Sequence, residues 1–135
     1  MTDLNSENRS NDDGFTLVEV LATLTIIGLL TAIVGFGVVR SVNNARVSTT
    51  KTQISNIEGA LQAYNLDNAS FPSEQDGLEA LVTGGYIPRL PEDAWGRRFL
   101  YKFPGENGDL DIFSYGADGE PGGEDQNADI GNWQL

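Results

Sequence analysis

The chain has 135 residues, no cysteine and no histidine, and a net charge of −12 from 20 acidic and 8 basic residues. That length suits one hydrophobic core rather than two, and the composition excludes a disulfide and removes the usual ligands of a zinc site. The acidity argues against nucleic acid as a partner, because phosphate binding needs clustered Lys and Arg.

The first predicted element is apolar. From Phe15 to Val39, 25 residues carry a single charge, that of Glu19. As a helix they would reach about 37 Å, enough to cross a hydrocarbon core of about 30 Å, so residues 15–39 are expected to span a membrane. A buried core helix rarely runs this far without a polar interruption. A cleaved secretory signal has a shorter apolar region that ends at a small-residue site. Here the sequence continues as "RSVNNARVSTTKTQISNIEGALQAYNLDN", with Ile54, Ile57, Leu61 and Tyr64 on one face at helical spacing. No proline occurs before "SFPS". The pattern predicts one long helix, apolar all round in its first half and amphipathic in its second, with residues 40–135 forming a head domain.

Glu19 is the anomaly in this helix. A carboxylate within a span costs about 2.5–3.5 kcal/mol at the bilayer centre and less near its edge. Glu19 lies one turn inside Phe15, so one reading is an edge residue eased by snorkelling. The other reading needs a cation. A cut between Gly14 and Phe15 would create one, the new amino group of Phe15, able to meet Glu19 directly between staggered helices. Paired only in an assembly, Glu19 would set the register of that assembly.

Beyond the helix, "GYIPRL" and "LPEDAWG" are turn material around aromatics. "RRFLYKF" and "LDIFSY" are short strand-like runs that pair as a hairpin through "PGENGD". No basic residue follows Lys102, whereas eight Asp and Glu do. The tail "SYGADGEPGGEDQNADIGNW" has two readings, a solvated acidic surface or an oxygen cage for a hard cation, with glycines letting carbonyls turn inward. The EF-hand spacing is missing, so a cage here would be of another kind. "NAS" at Asn68 matches a glycosylation sequon, a pattern too short to carry weight by itself. No nucleophile–base set is visible, and an enzyme is not expected.

These residues also carry a family resemblance. "GFTLVE" before a long apolar run resembles the class III signal of type IV pilins and pseudopilins. In that superfamily a prepilin peptidase cleaves after the Gly and methylates the new N-terminal Phe, and the Glu guides subunits into a helical filament. The resemblance implies a cleaved leader over residues 1–14, a cut between Gly14 and Phe15, an N-methylated Phe15 and an assembly role for Glu19. Downstream, "LDN…FP…GL", "LPEDAWG" and "DIGNW" together resemble the major pseudopilins of type II secretion systems, the general secretion pathway protein G family. This similarity runs from Gly14 to Trp133.

What the resemblance implies is an α+β, pilin-like fold: a long N-terminal α-helix, its first half transmembrane, packed on a small antiparallel β-sheet with a C-terminal calcium-binding loop. It implies Ca2+ held by the side chains of Asp118 and Asp129, with Asp125 a third candidate, and by the backbone carbonyls of Tyr115 and Glu120. A small head without a disulfide would gain stability from such a clip. The implied function is a subunit of the periplasmic pseudopilus that drives folded proteins across the outer membrane. The implied partners are further copies of the chain, minor pseudopilins, the inner-membrane assembly platform, the outer-membrane secretin and the prepilin peptidase. The implied location is the bacterial inner membrane, crossed once, with the head in the periplasm. The alternatives are a type IV pilin of a surface fibre and a membrane-anchored calcium-binding protein that does not polymerise. Type IV pilins usually close their C-terminal region with a disulfide, which this chain cannot form.

The chain departs from the family pattern in two places. The leader carries Arg9 against Asp3, Glu7, Asp12 and Asp13, while Arg40, Arg46 and Lys51 follow the span. Charge counting alone would place the head in the cytoplasm, opposite to what the signal implies. Ala94 stands in "DAWG" where family members commonly have Pro.

Overall fold

A computed structural model describes residues 13–135 of the chain, so most of the expected leader lies outside the described residues. The chain divides into two units, Met1–Val38 and Val39–Leu135. One helix, α1, runs through both over Leu17–Asn68, 52 residues without interruption. It starts two residues after the expected position because Thr16 serves as its cap.

In the first unit α1 buries nothing. Its large apolar side chains, from Leu17 and Val18 to Phe36 and Val38, are exposed. Its polar side chains are dealt with locally. The hydroxyls of Thr23, Thr25 and Thr31 each donate to the carbonyl four residues earlier, at 2.8 Å. Hydroxyls satisfied in this way present no unpaired donor to hydrocarbon. Among the described residues, α1 is the one helix long and apolar enough to cross a membrane.

The second unit holds the core. Ile54, Ile57 and Leu61, spaced to share one helix face, are buried with 1% exposure or less, and Tyr64 packs beside them half-buried. Each fully buried aliphatic contributes about 1.5–3 kcal/mol over its exposed state. Thr50, also buried, turns its hydroxyl to the Arg46 carbonyl and accepts the Ala94 amide at 3.2 Å. The helix stops at Asn68, and Ala69 adopts a left-handed conformation (φ 58°) that any Cβ makes costly. Tyr86 closes this end by donating to the Asp67 carboxylate at 2.9 Å. That bond raises the phenol pKa above its ordinary value.

A short helix, α2, spans Glu79–Thr83 and seats Leu81 in the core next to Leu78. Three strands follow: β1 Leu100–Lys102, β2 Asp111–Ser114 and β3 Ile130–Gly131, in that spatial order, both pairings antiparallel. The β1–β2 pair is the hairpin expected from the sequence, with Tyr101 opposite Ile112. Phe99, Leu110, Ile112 and Ile130 complete the core against α1. The expected helix on a small antiparallel sheet is therefore the architecture observed.

Two aspartates without a part in the sequence reading anchor the loops. Asp111, 2% exposed, accepts the backbone N–H groups of Glu106 and Asn107 and the Asn107 side-chain amide, which holds the hairpin loop closed. Asp93, 6% exposed, accepts the N–H groups of Trp95 and Arg97 and the Ser114 hydroxyl, which ties the "EDAWG" turn to the end of β2.

Tyr101 gives the head a pH limit. Its hydroxyl donates to the Pro72 carbonyl at 2.8 Å. Burial, assisted by Tyr64 and Glu74, raises its pKa from 10.0 to about 12. The fold favours the neutral phenol, so the contribution is whole below the unfolded pKa of 10.0 and is lost as pH rises through the folded value of about 12. Chemical denaturation at stepped alkaline pH should show the wild type losing stability across that window. Tyr101→Phe, less stable at neutral pH, should lose less there; parallel curves for the two proteins would reject this assignment.

Candidate functional site

Two regions hold the candidate residues, one in each unit. At the start of α1, the Thr16 N–H donates to Glu19 Oε2 at 2.8 Å and the Glu19 N–H donates to Thr16 Oγ1 at 3.2 Å. This is a capping box, in which two amides left without helical partners are satisfied reciprocally. Glu19 also lies where the helix dipole favours a negative charge. The sequence reading weighed a tolerated edge residue against an assembly residue and missed this third role. The signal was present as "TLVE", a Thr three residues before a Glu at a helix start.

Phe15 is 88% exposed, and a side chain built on Gly14 would meet no atom of the described chain within 4 Å. The fold thus places no demand for glycine at position 14. Any such demand comes from whatever handles the chain there.

The second region is the loop from Tyr115 to Asp129, between β2 and β3. Gly116 opens it with φ +71°, and a Cβ there would stand 2.7 Å from the Ala128 carbonyl oxygen and 2.8 Å from that of Gln126. The loop's two ends therefore close on each other through a glycine, and the Ala117 N–H donates to the Gln126 carbonyl at 2.9 Å. Asp118 Oδ1 accepts the Glu120 N–H at 3.1 Å. Both Asp129 oxygens accept the Gly122 N–H, at 3.1 and 3.0 Å. These amides are two residues apart, so the two carboxylates are drawn to one short segment around Pro121. Asp125 starts a single 3-10 turn over Asp125–Asn127 with a left-handed φ of 54°. Glu120 is exposed and Tyr115 half-buried.

Among the described residues no group of three or more acidic side chains is gathered as a metal-binding set. Asp118 and Asp129 each hold a backbone amide of the segment 120–122, and Asp125 lies on the 3-10 turn that follows it. The donors are all oxygen, carboxylate and carbonyl, on a glycine-rich backbone. Their chemistry suits a hard cation such as calcium. Arg97, outside the candidates drawn from the sequence, reaches into this loop and bonds two of its carbonyls.

Comparison with known proteins bears on both regions. Residues 37–133 match the family described as "Type II secretion system (T2SS), protein G", and residues 9–35 match the prokaryotic N-terminal methylation motif. The type II secretion system core protein G of Pseudomonas aeruginosa is 44% identical over 93% of this chain and 97% of its own length. That of Vibrio cholerae is 42% identical over 90% of this chain and 92% of its own length. The crystal structure of the major pseudopilin from the type 2 secretion system of enterohaemorrhagic Escherichia coli superposes with a TM-score of 0.63 at 38% identity. It covers 70% of this chain and 92% of its own. A capped apolar helix carrying the methylation motif, continuous with a helix-on-sheet head like that of a solved major pseudopilin, makes this chain a member of the protein G family of type II secretion systems, with the role of major pseudopilin.

Proposed function

We propose that the chain polymerises through the apolar half of α1 into the periplasmic pseudopilus of its secretion system. The observation that carries this reading is the first unit of α1: more than five turns of exposed apolar side chains, with no described residue packed on them. Such a surface needs lipid first and neighbouring helices later. Before assembly the helix crosses the inner membrane with the head in the periplasm. After assembly, copies of the same helix form the filament core, with minor pseudopilins, assembly platform and secretin as the surrounding machinery. The family is one of structural subunits, and nothing in the proposed role requires catalysis.

Entry to the filament requires removal of residues 1–14 by a prepilin peptidase and methylation of the Phe15 amine. The match to the methylation motif and the open surroundings of Gly14 support this. Mass analysis of the membrane-extracted protein should find Phe15 as the first residue, bearing one added methyl group. Gly14→Val should fold and insert normally, since no described residue contacts that position, yet keep its leader and form no filament. A wild-type protein that assembles with Met1 in place would reject the proposal.

A further inference from the structure

The C-terminal loop contains Asp118, Glu120, Glu124, Asp125 and Asp129 and no basic residue of its own. A cation nevertheless sits against it. Arg97 Nη1 donates to the Gly116 carbonyl at 2.7 Å, and Nη2 donates to the Ala117 carbonyl at 3.0 Å. These are consecutive carbonyls on the loop's first turn, 19 and 20 residues further along the chain. The planar fork of a guanidinium reaches both at once, which the single ammonium of a lysine does not reproduce.

The neighbourhood is built around this contact. The Arg97 backbone is pinned on both sides by Asp93, whose N–H donates to the Arg97 carbonyl at 2.8 Å and whose Oδ1 accepts the Arg97 N–H at 2.9 Å. Asp93 Oδ2 takes the Ser114 hydroxyl, and Ser114 Oγ in turn accepts the Gly116 N–H at 3.1 Å. Gly116 is thus held through its N–H by the Asp93–Ser114 pair and through its carbonyl by Arg97. Gly119 completes the seat. Its φ is +69°, and a Cβ there would stand 2.7 Å from Arg97 Cζ and 2.8 Å from Nε. The guanidinium lies over the loop backbone because residue 119 has no side chain. Among the described residues Arg97 has no carboxylate partner within salt-bridge distance, so its charge acts on the loop through carbonyls.

We infer that Arg97 is a built-in cation that holds the C-terminal loop closed before any metal arrives. It organises the loop's first turn and offsets part of the repulsion among its carboxylates. The inference goes beyond the calcium reading. It assigns to a residue of this chain a share of the work that a bound cation would do, and predicts that the loop keeps its closed form in chelator.

Amide hydrogen exchange on the full chain in detergent, with chelator and then with calcium, tests this. In chelator, Arg97→Ala should speed exchange at Ala117, Glu120 and Gly122 by about a hundred-fold or more, since each of the two charge-assisted hydrogen bonds lost is worth a factor of at least about ten. Ile112 and Leu61, in β2 and α1, should keep their protection. Arg97→Lys should retain the charge and fail to restore the slow rates. Adding calcium should slow the loop amides of Arg97→Ala more than those of the wild type. Unchanged loop exchange in Arg97→Ala, full rescue by Arg97→Lys, or an equal loss of protection across the core would each overturn the inference. A wild type whose exchange ignores calcium would instead reject the calcium reading, because the Arg97 effect is measured without metal.

Discussion

Glu19→Ala is expected to insert into the membrane at least as well as the wild type and to yield no filaments. Removing the carboxylate removes a cost of up to about 2.5–3.5 kcal/mol for a charge in hydrocarbon. It also breaks the capping box with Thr16, whose two reciprocal bonds are visible at the start of α1. Loss of a cap weakens one helix end by about 0.5–2 kcal/mol, too little to unmake a 52-residue helix. If capping were the whole role, assembly would survive. The expected failure follows from charge: in the proposed filament the Phe15 amine of one subunit would meet the Glu19 carboxylate of the next inside an apolar core, where an unpaired ammonium is not tolerated. Glu19→Gln separates the two roles. Glutamine keeps an oxygen for the Thr16 N–H and is accepted in a capping box, but carries no charge. It should cap the helix and still block assembly. Electron microscopy of sheared filaments and secretion of a folded substrate are the readouts. Filaments from Glu19→Gln in wild-type numbers would reduce Glu19 to a capping residue.

The capping box shows where sequence reasoning reaches and where it stops. Features with local causes were legible. The 25-residue apolar run, the face of Ile54, Ile57 and Leu61, and the hairpin between "RRFLY" and "LDIFSY" each follow from residues close together in the sequence. Features decided by distant partners were not. β3 is two residues long, and Ile130 is a strand residue because Ser114 offers it a backbone to pair with. α2 is five residues, too short for a periodicity to emerge from "GLEALV". Asp93 reads as a turn aspartate, and its burial depends on Ser114, 21 residues away. The same limit applies to the loop. The composition announced oxygen donors, and Asp118 and Asp129 accept backbone amides two residues apart. The reach of Arg97 into the loop depends on the missing side chain of Gly119, which no pattern in the sequence announces.

Calcium should raise the melting temperature of the head by about 10–20 °C, and single substitutions in the loop should abolish that rise. The core lies within Val39–Leu135, so a truncated protein beginning at Arg40 retains every buried apolar residue and loses the span. A ligand that binds only the folded loop adds about 2.7 kcal/mol at 100 times its dissociation constant. In a domain of this size each kcal/mol moves the midpoint by about 4–8 °C. Magnesium should give little of this, since it demands a tight octahedron and holds its water. Asp118→Asn should remove the response while keeping an acceptor for the Glu120 N–H. For Asp129 the substitution must be chosen with care, because its carboxylate also accepts the Gly122 N–H and alanine would loosen the loop even without metal. Asp129→Asn leaves an acceptor for that amide and removes the charge a hard cation needs. It should melt near the wild type in chelator and fail to respond to calcium. Asp109→Ala, an exposed acid outside the loop, should respond in full. If wild type and variants melt together with and without calcium, the acidic loop is a solvated surface. The two oxygen sets on Asp118 and Asp129 would then serve only the backbone amides they already hold.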